Sequence, residues 1–187
     1  MIRLAACDDL RALAASQSAS MSSNRIAMYQ ASFVLAVASW DSYINNVVDE
    51  AHTAVTGSLQ VTHHAIASIL DTNKERLLSK FNAPNSENTR NLFLQALNFD
   101  PWPSWNWTRA LKSSLEVRTM LNETMRVRHS IAHGASLPNY PWICDSQGRP
   151  RVNSAVVSQT VKLLQFLCRA TDVGIRSHLS ANMNTSL

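Results

Sequence analysis

From Ile26 the apolar residues Ile26, Tyr29, Phe33, Val37, Trp40, Ile44 and Val47 recur at three- and four-residue steps. That period lines up side chains on one face of a helix and predicts one long helix ending before Gly57. A shorter amphipathic segment, Leu4 to Leu13, precedes it and is expected to run on through the serine-rich SQSASMSSN. Thr62 is expected to open a further helix that carries Ile66, Leu70 and Leu77 to Phe81. NAPNSENTR reads as a turn, with Ser86 as the N-cap ahead of Leu92, Phe93 and Leu97. The two prolines of FDPWPSW interrupt the helical pattern. Beyond them a single helix is predicted from Thr108 to His133, with Leu111, Leu115, Leu121 and Met125 along one side. Gly134 suits the left-handed residue just past its end. The polar ASLPNYPWICDSQGRPR reads as a loop, and Asn153 caps a last helix bearing Val157, Val161, Leu164 and Cys168.

Strand alternation, internal repeats, low-complexity tracts and linkers are not seen. The expectation is therefore an all-α bundle of long antiparallel helices, one domain over residues 1–187, with loose ends at about residues 1–3 and 180–187. Four glycines and six prolines in 187 residues fit that reading better than a sandwich or barrel. Cys7, Cys144 and Cys168 are too widely spaced for a metal or redox motif and read as reduced thiols of a cytoplasmic protein. No run of about 18 apolar residues is found, so no membrane partner is expected. MIRLAACDDLR turns acidic too soon for a signal peptide.

The formal net charge is +4, and 13 of the 17 basic residues are arginine. A guanidinium fork matches phosphate oxygens better than an ammonium does, so an anionic partner is a weak inference. Its distribution says more. In MRVRHSIAHG, residues 125–134, Arg126, Arg128 and His129 crowd together and His133 follows one turn later. His129 and His133 are four apart and share a face, whereas Arg128 and His133 flank a corner about 140° wide. The negative end of the helix dipole favours a cation there. An imidazole that moves protons beside a guanidinium that stabilises phosphate charge is a sensible kit for phosphodiester chemistry. Two other readings compete. A metal could sit on His129 and His133, but Ser130 stands where a zinc protease has its glutamate, and a third ligand would have to come from His63, His64 or Asp41. Alternatively, the imidazoles merely bond the exposed carbonyls of the helix end.

The run from Arg128 through His129, Ser130, Ile131 and Ala132 to His133, closing on Gly134, resembles the Arg-x4-His motif of the HEPN superfamily. LAVASWDSYINNVVDEA resembles the aromatic-acidic helix of its RiboL-PSP-type group, with Asp41 where glutamate is more usual. APNSENTRNLFLQALNFDPWPSW is similar to that group's middle segment, and the similarity covers most of residues 26–175. The resemblance implies a helical bundle that dimerises and brings two motifs into one cleft. It also implies a metal-independent endoribonuclease that needs no cofactor, acting as a toxin or antiphage effector, with an antitoxin or defence-system protein as partner. The alternative is a non-catalytic module that binds RNA or nucleotides or mediates assembly. Arg128 and His133 match the catalytic pair, and His129 the polar position that orients the site. Asp41 and Arg126 are expected to support it, with no metal. Trp102 and Trp105 are candidate RNA-stacking residues, although tryptophans beside prolines more often pin a loop to the core.

Overall fold

The computed structural model describes residues 2–17, 22–59 and 63–183. Among them are six α-helices: α1 (Ile2–Ser16), α2 (Ser22–Leu59), α3 (His64–Lys80), α4 (Ser86–Leu97), α5 (Ser114–Ala132) and α6 (Ser154–Met183). Single 3-10 turns lie at Trp102–Ser104, Thr108–Ala110 and Pro141–Ile143. The described residues hold no strand, only the isolated bridges Trp107–Lys112 and Cys144–Pro150. The chain is all-α, as the periodicity requires. The expected opening residue Thr62 and most of the proposed link between α1 and α2 lie outside the described residues, as do residues 184–187 of the expected loose end.

The helix boundaries differ from expectation where local hydrogen bonds outvote the hydrophobic pattern. The α2 helix passes through Gly57 to Leu59. Ser86 is the first residue of α4 rather than its cap, because the Asn85 side chain accepts from the Asn88 amide at 2.8 Å. The largest correction is at α5, which starts at Ser114 and not Thr108. Ser113 and Glu116 form a capping box: the Ser113 amide donates to the Glu116 carboxylate at 2.8 Å, and the Glu116 amide to Ser113 Oγ at 3.3 Å. Before it, Leu111 adopts a left-handed φ of 52° and Trp107 pairs with Lys112. Leu111 and Leu115 are consequently exposed, at 91% and 64%, and the inward stripe of α5 is Val117, Leu121, Thr124 and Val127 instead. Thr124 tolerates burial because its hydroxyl donates to the Met120 carbonyl at 2.8 Å. The Asn153 cap is as expected, its side chain accepting from the Val156 amide at 3.0 Å.

The residues gather into two compact units, Met1–Trp40 with Met120–Phe166, and Asp41–Thr119 with Leu167–Leu187. The first has a core of Phe33, Val37, Trp40, Leu121, Val127, Ile143, Val157 and Leu164. Its α1 is tied to α2 by Ser32 Oγ, which donates to the Cys7 carbonyl at 2.7 Å. Burial, then the Asp8 charge, pushes the Cys7 thiol up to about 11. The second unit is built on Ile44, Leu92, Phe93, Phe99, Trp105, Val117 and Leu167. There the Tyr43 hydroxyl lies 2.6 Å from Asp172 Oδ1 and 2.9 Å from the Cys168 carbonyl. Burial, then the bond to Asp172 and its charge, raises the Tyr43 hydroxyl far above its usual range. Burial, then the Asp172 charge, raises the Cys168 thiol to about 12. No described helix is long and apolar enough to cross a membrane.

Candidate active site

The inward stripe of α5 dictates which of its last side chains face water. With Leu121, Thr124 and Val127 buried, the 100° step per residue turns Arg126, Arg128, His129 and His133 outward, and all four are exposed. The helix ends in a Schellman motif. Gly134, at φ 62°, donates to the Ile131 carbonyl at 3.3 Å, and Ala135 donates to the Ser130 carbonyl at 2.9 Å. The His133 amide donates to the His129 carbonyl at 3.1 Å. Backbone amides therefore satisfy the carbonyls of His129, Ser130 and Ile131, and these three do not need an imidazole donor.

The two imidazoles lie against each other instead, ring centroids 4.3 Å apart and planes at 47°. The Arg128 side chain makes no hydrogen bond or ion pair among the described residues. An exposed guanidinium on the same last turns as two paired imidazoles supplies a group that can bind a phosphate and groups that can move protons to and from its oxygens. Arg126 is placed differently. Its Nη1 donates to the Tyr140 hydroxyl at 3.3 Å, a bond that pushes the guanidinium further up. Tyr140 belongs to the loop returning along α5, where Ile143 is fully buried and Trp142 Nε1 donates to Glu123 at 2.7 Å. No local pattern in ASLPNYPWICDSQGRPR distinguishes Tyr140 from the rest of its loop.

The remaining candidates stand elsewhere. Asp41 follows buried Trp40 on α2, is half-buried, and belongs to the second unit. His63 precedes α3 and His64 opens it, both exposed. No group of three His, Cys, Asp or Glu side chains suited to a metal occurs among the described residues. Trp105 is fully buried and donates from Nε1 to Thr171 Oγ1 at 3.0 Å, so it pins its loop and offers no ring face to a base. Trp102 is half-buried, with the Arg118 and Arg90 guanidiniums 3.9 and 4.2 Å from its ring centroid. Its π-surface is already engaged by cations.

An all-α chain whose long fifth helix ends in an exposed Arg-x4-His run matches, over residues 3–171, the sequence model described as RiboL-PSP-HEPN. The chain belongs to this HEPN family. Comparison with curated proteins and with solved structures finds no match. Family membership suggests a role in RNA cleavage or a nucleotide-related role.

Proposed function

We propose that the protein is a metal-independent endoribonuclease with Arg128 and His133 at its centre. The observation that carries this is the end of α5, where an exposed guanidinium, with no side-chain partner among the described residues, shares the last turns of the helix with two imidazoles in contact. One His133 imidazole removes the proton from a ribose 2′-hydroxyl, and the 2′-oxygen forms its new bond to phosphorus. The bond from phosphorus to the 5′-oxygen breaks, and a protonated imidazole returns a proton to that oxygen. The products are a 2′,3′-cyclic phosphate and a 5′-hydroxyl. DNA lacks the attacking group and is not cut. Arg128 offsets the charge that grows on the phosphate oxygens, while His129 orients the pair.

Acid and base are more readily supplied by two copies, so the active form is a two-fold homodimer that brings two motifs to one cleft. A free ribonuclease endangers its host. The setting we infer is therefore cytoplasmic toxin–antitoxin or antiphage defence, with a protein partner that restrains it. Incubation with mixed cellular RNA in EDTA, followed by end-group analysis, tests the reading. Cyclic phosphate and 5′-hydroxyl ends that vanish in His133→Ala are expected. Intact RNA with retained RNA affinity would assign the chain to non-catalytic RNA binding instead.

A further inference from the structure

Counting round α5 from Arg126, His129 lies about 60° away and His133 only about 20° away, while Arg128 lies about 160° away. Arg126, His129 and His133 thus form one row along the helix, at steps of three and four residues, and Arg128 stands off it. The amino-terminal end of that row is closed by Tyr140, whose hydroxyl accepts from Arg126 at 3.3 Å. The backbone of Tyr140 is held on several sides. Its amide donates to the Pro138 carbonyl at 3.1 Å and its carbonyl accepts from the Ile143 amide at 3.1 Å. The Cys144 thiol lies 3.2 Å from the same carbonyl.

A loop already anchored by buried Ile143 and by the bond from Trp142 to Glu123 gains little stability from an exposed arginine–tyrosine bond. What the bond does achieve is orientation. It fixes a half-buried aromatic ring and a guanidinium side by side, next to the imidazole row. Single-stranded RNA is bound by that combination, a base stacking on the ring and its phosphate meeting the cation.

We propose that Tyr140 and Arg126 form a nucleotide-binding subsite for single-stranded RNA, seating a nucleotide beside the one that is cut. The cutting part rests on the ribonuclease reading above, whereas the subsite stands on its own geometry. Tyr140 is a binding residue of this subsite. Its ring carries the contact and its hydroxyl holds Arg126 in register.

The test measures binding and cleavage separately. Binding is read by fluorescence anisotropy with a labelled, 2′-O-methylated single-stranded RNA of mixed sequence, which resists 2′-OH attack. Tyr140→Leu should weaken it roughly five- to hundredfold, the range expected for loss of one stacked base. Arg126→Gln should weaken it less and flatten its salt dependence. Tyr140→Phe keeps the ring and should retain most of the affinity. In cleavage the larger part of the Tyr140→Leu loss should fall on KM. Binding by Tyr140→Leu within twofold of the parent would overturn the proposal. So would equal losses in Tyr140→Phe and Tyr140→Leu that follow a drop in melting temperature, since the pair would then be a loop latch only. Tyr140-dependent binding without cleavage would remove the ribonuclease reading and leave the subsite standing. Cleavage with a KM indifferent to Tyr140 would do the reverse.

Discussion

His129 and His133 hold their ring centroids 4.3 Å apart, one helical turn from each other, with planes inclined at 47°. Each ring is the other's immediate neighbour, so neither can be altered without freeing the second. Effects at the two positions should therefore not add, and the double variant should lose less than the sum of the singles.

Catalysis should separate the site residues by role. His133→Ala should lose most turnover with little change in RNA affinity, because proton transfer acts in the transition state. Arg128→Ala should lose turnover and affinity together, and Arg128→Lys should recover only part of both, since an ammonium lacks the bidentate fork. Mixing Arg128→Ala with His133→Ala subunits tests the shared cleft. Partial recovery of RNA cleavage in the mixture is expected. Additive inactivity would place a complete site in each copy.

Gly134 caps α5 at φ 62°, with open space where a Cβ would stand. Gly134→Ala should therefore cost about 1–2 kcal/mol from backbone strain alone. Because the Schellman bonds to Ser130 and Ile131 hold the last turn, cleavage should fall as well. Thermal melting compared with steady-state activity checks both.

Gly174 and Gly57 should respond in opposite directions. A Cβ at Gly174 would collide with the Ser104 side chain and stand 2.8 Å from Phe99 Cζ, while one at Gly57 meets nothing within 4 Å. Phe99 is held edge-on against Phe93, centroids 5.9 Å apart, and cannot retreat freely. Gly174→Ala should destabilise by about 1–3 kcal/mol, and Gly57→Ala should stabilise by roughly 0.5–1 kcal/mol. Denaturant midpoints at constant slope measure both.

Acid should unfasten Asp100. Partial burial pulls its carboxyl up, but the Arg90 bonds at 2.7 and 3.0 Å, the Trp102 amide and the charges of Arg90 and Arg118 outweigh that and hold it below the usual carboxylate range. A folded-state value below the unfolded one contributes stability that is complete above the unfolded value and lost as pH falls through the folded one. The melting-temperature gap between parent and Asp100→Asn should be constant near neutrality and close below the ordinary carboxylate range. A gap unchanged at low pH would mean that the Arg90 contact does not depend on the charge.

Fold class is legible in local pattern, because helical periodicity and caps such as Asn153 and Gly134 depend on residues within a turn or two of each other. The Arg128 to His133 run was legible for the same reason, since four- and five-residue spacings on a helix are fixed by its geometry. The true start of α5 was also written locally, in the capping box of Ser113 and Glu116, but Leu111 before it and Leu115 just inside it imitated a longer helical stripe. Which face of α5 turns inward is set by long-range packing. Val117, Leu121, Thr124 and Val127 won that place over Leu111 and Leu115 because burial depends on what packs opposite, which spacing does not encode. The same holds for the tryptophans: burial took Trp105 and two arginines took Trp102. Tyr140 came to Arg126 from 14 residues away, through a loop whose path is set by the burial of Ile143. Contacts of that kind arise from how the chain returns on itself, and no local pattern in the sequence specifies them.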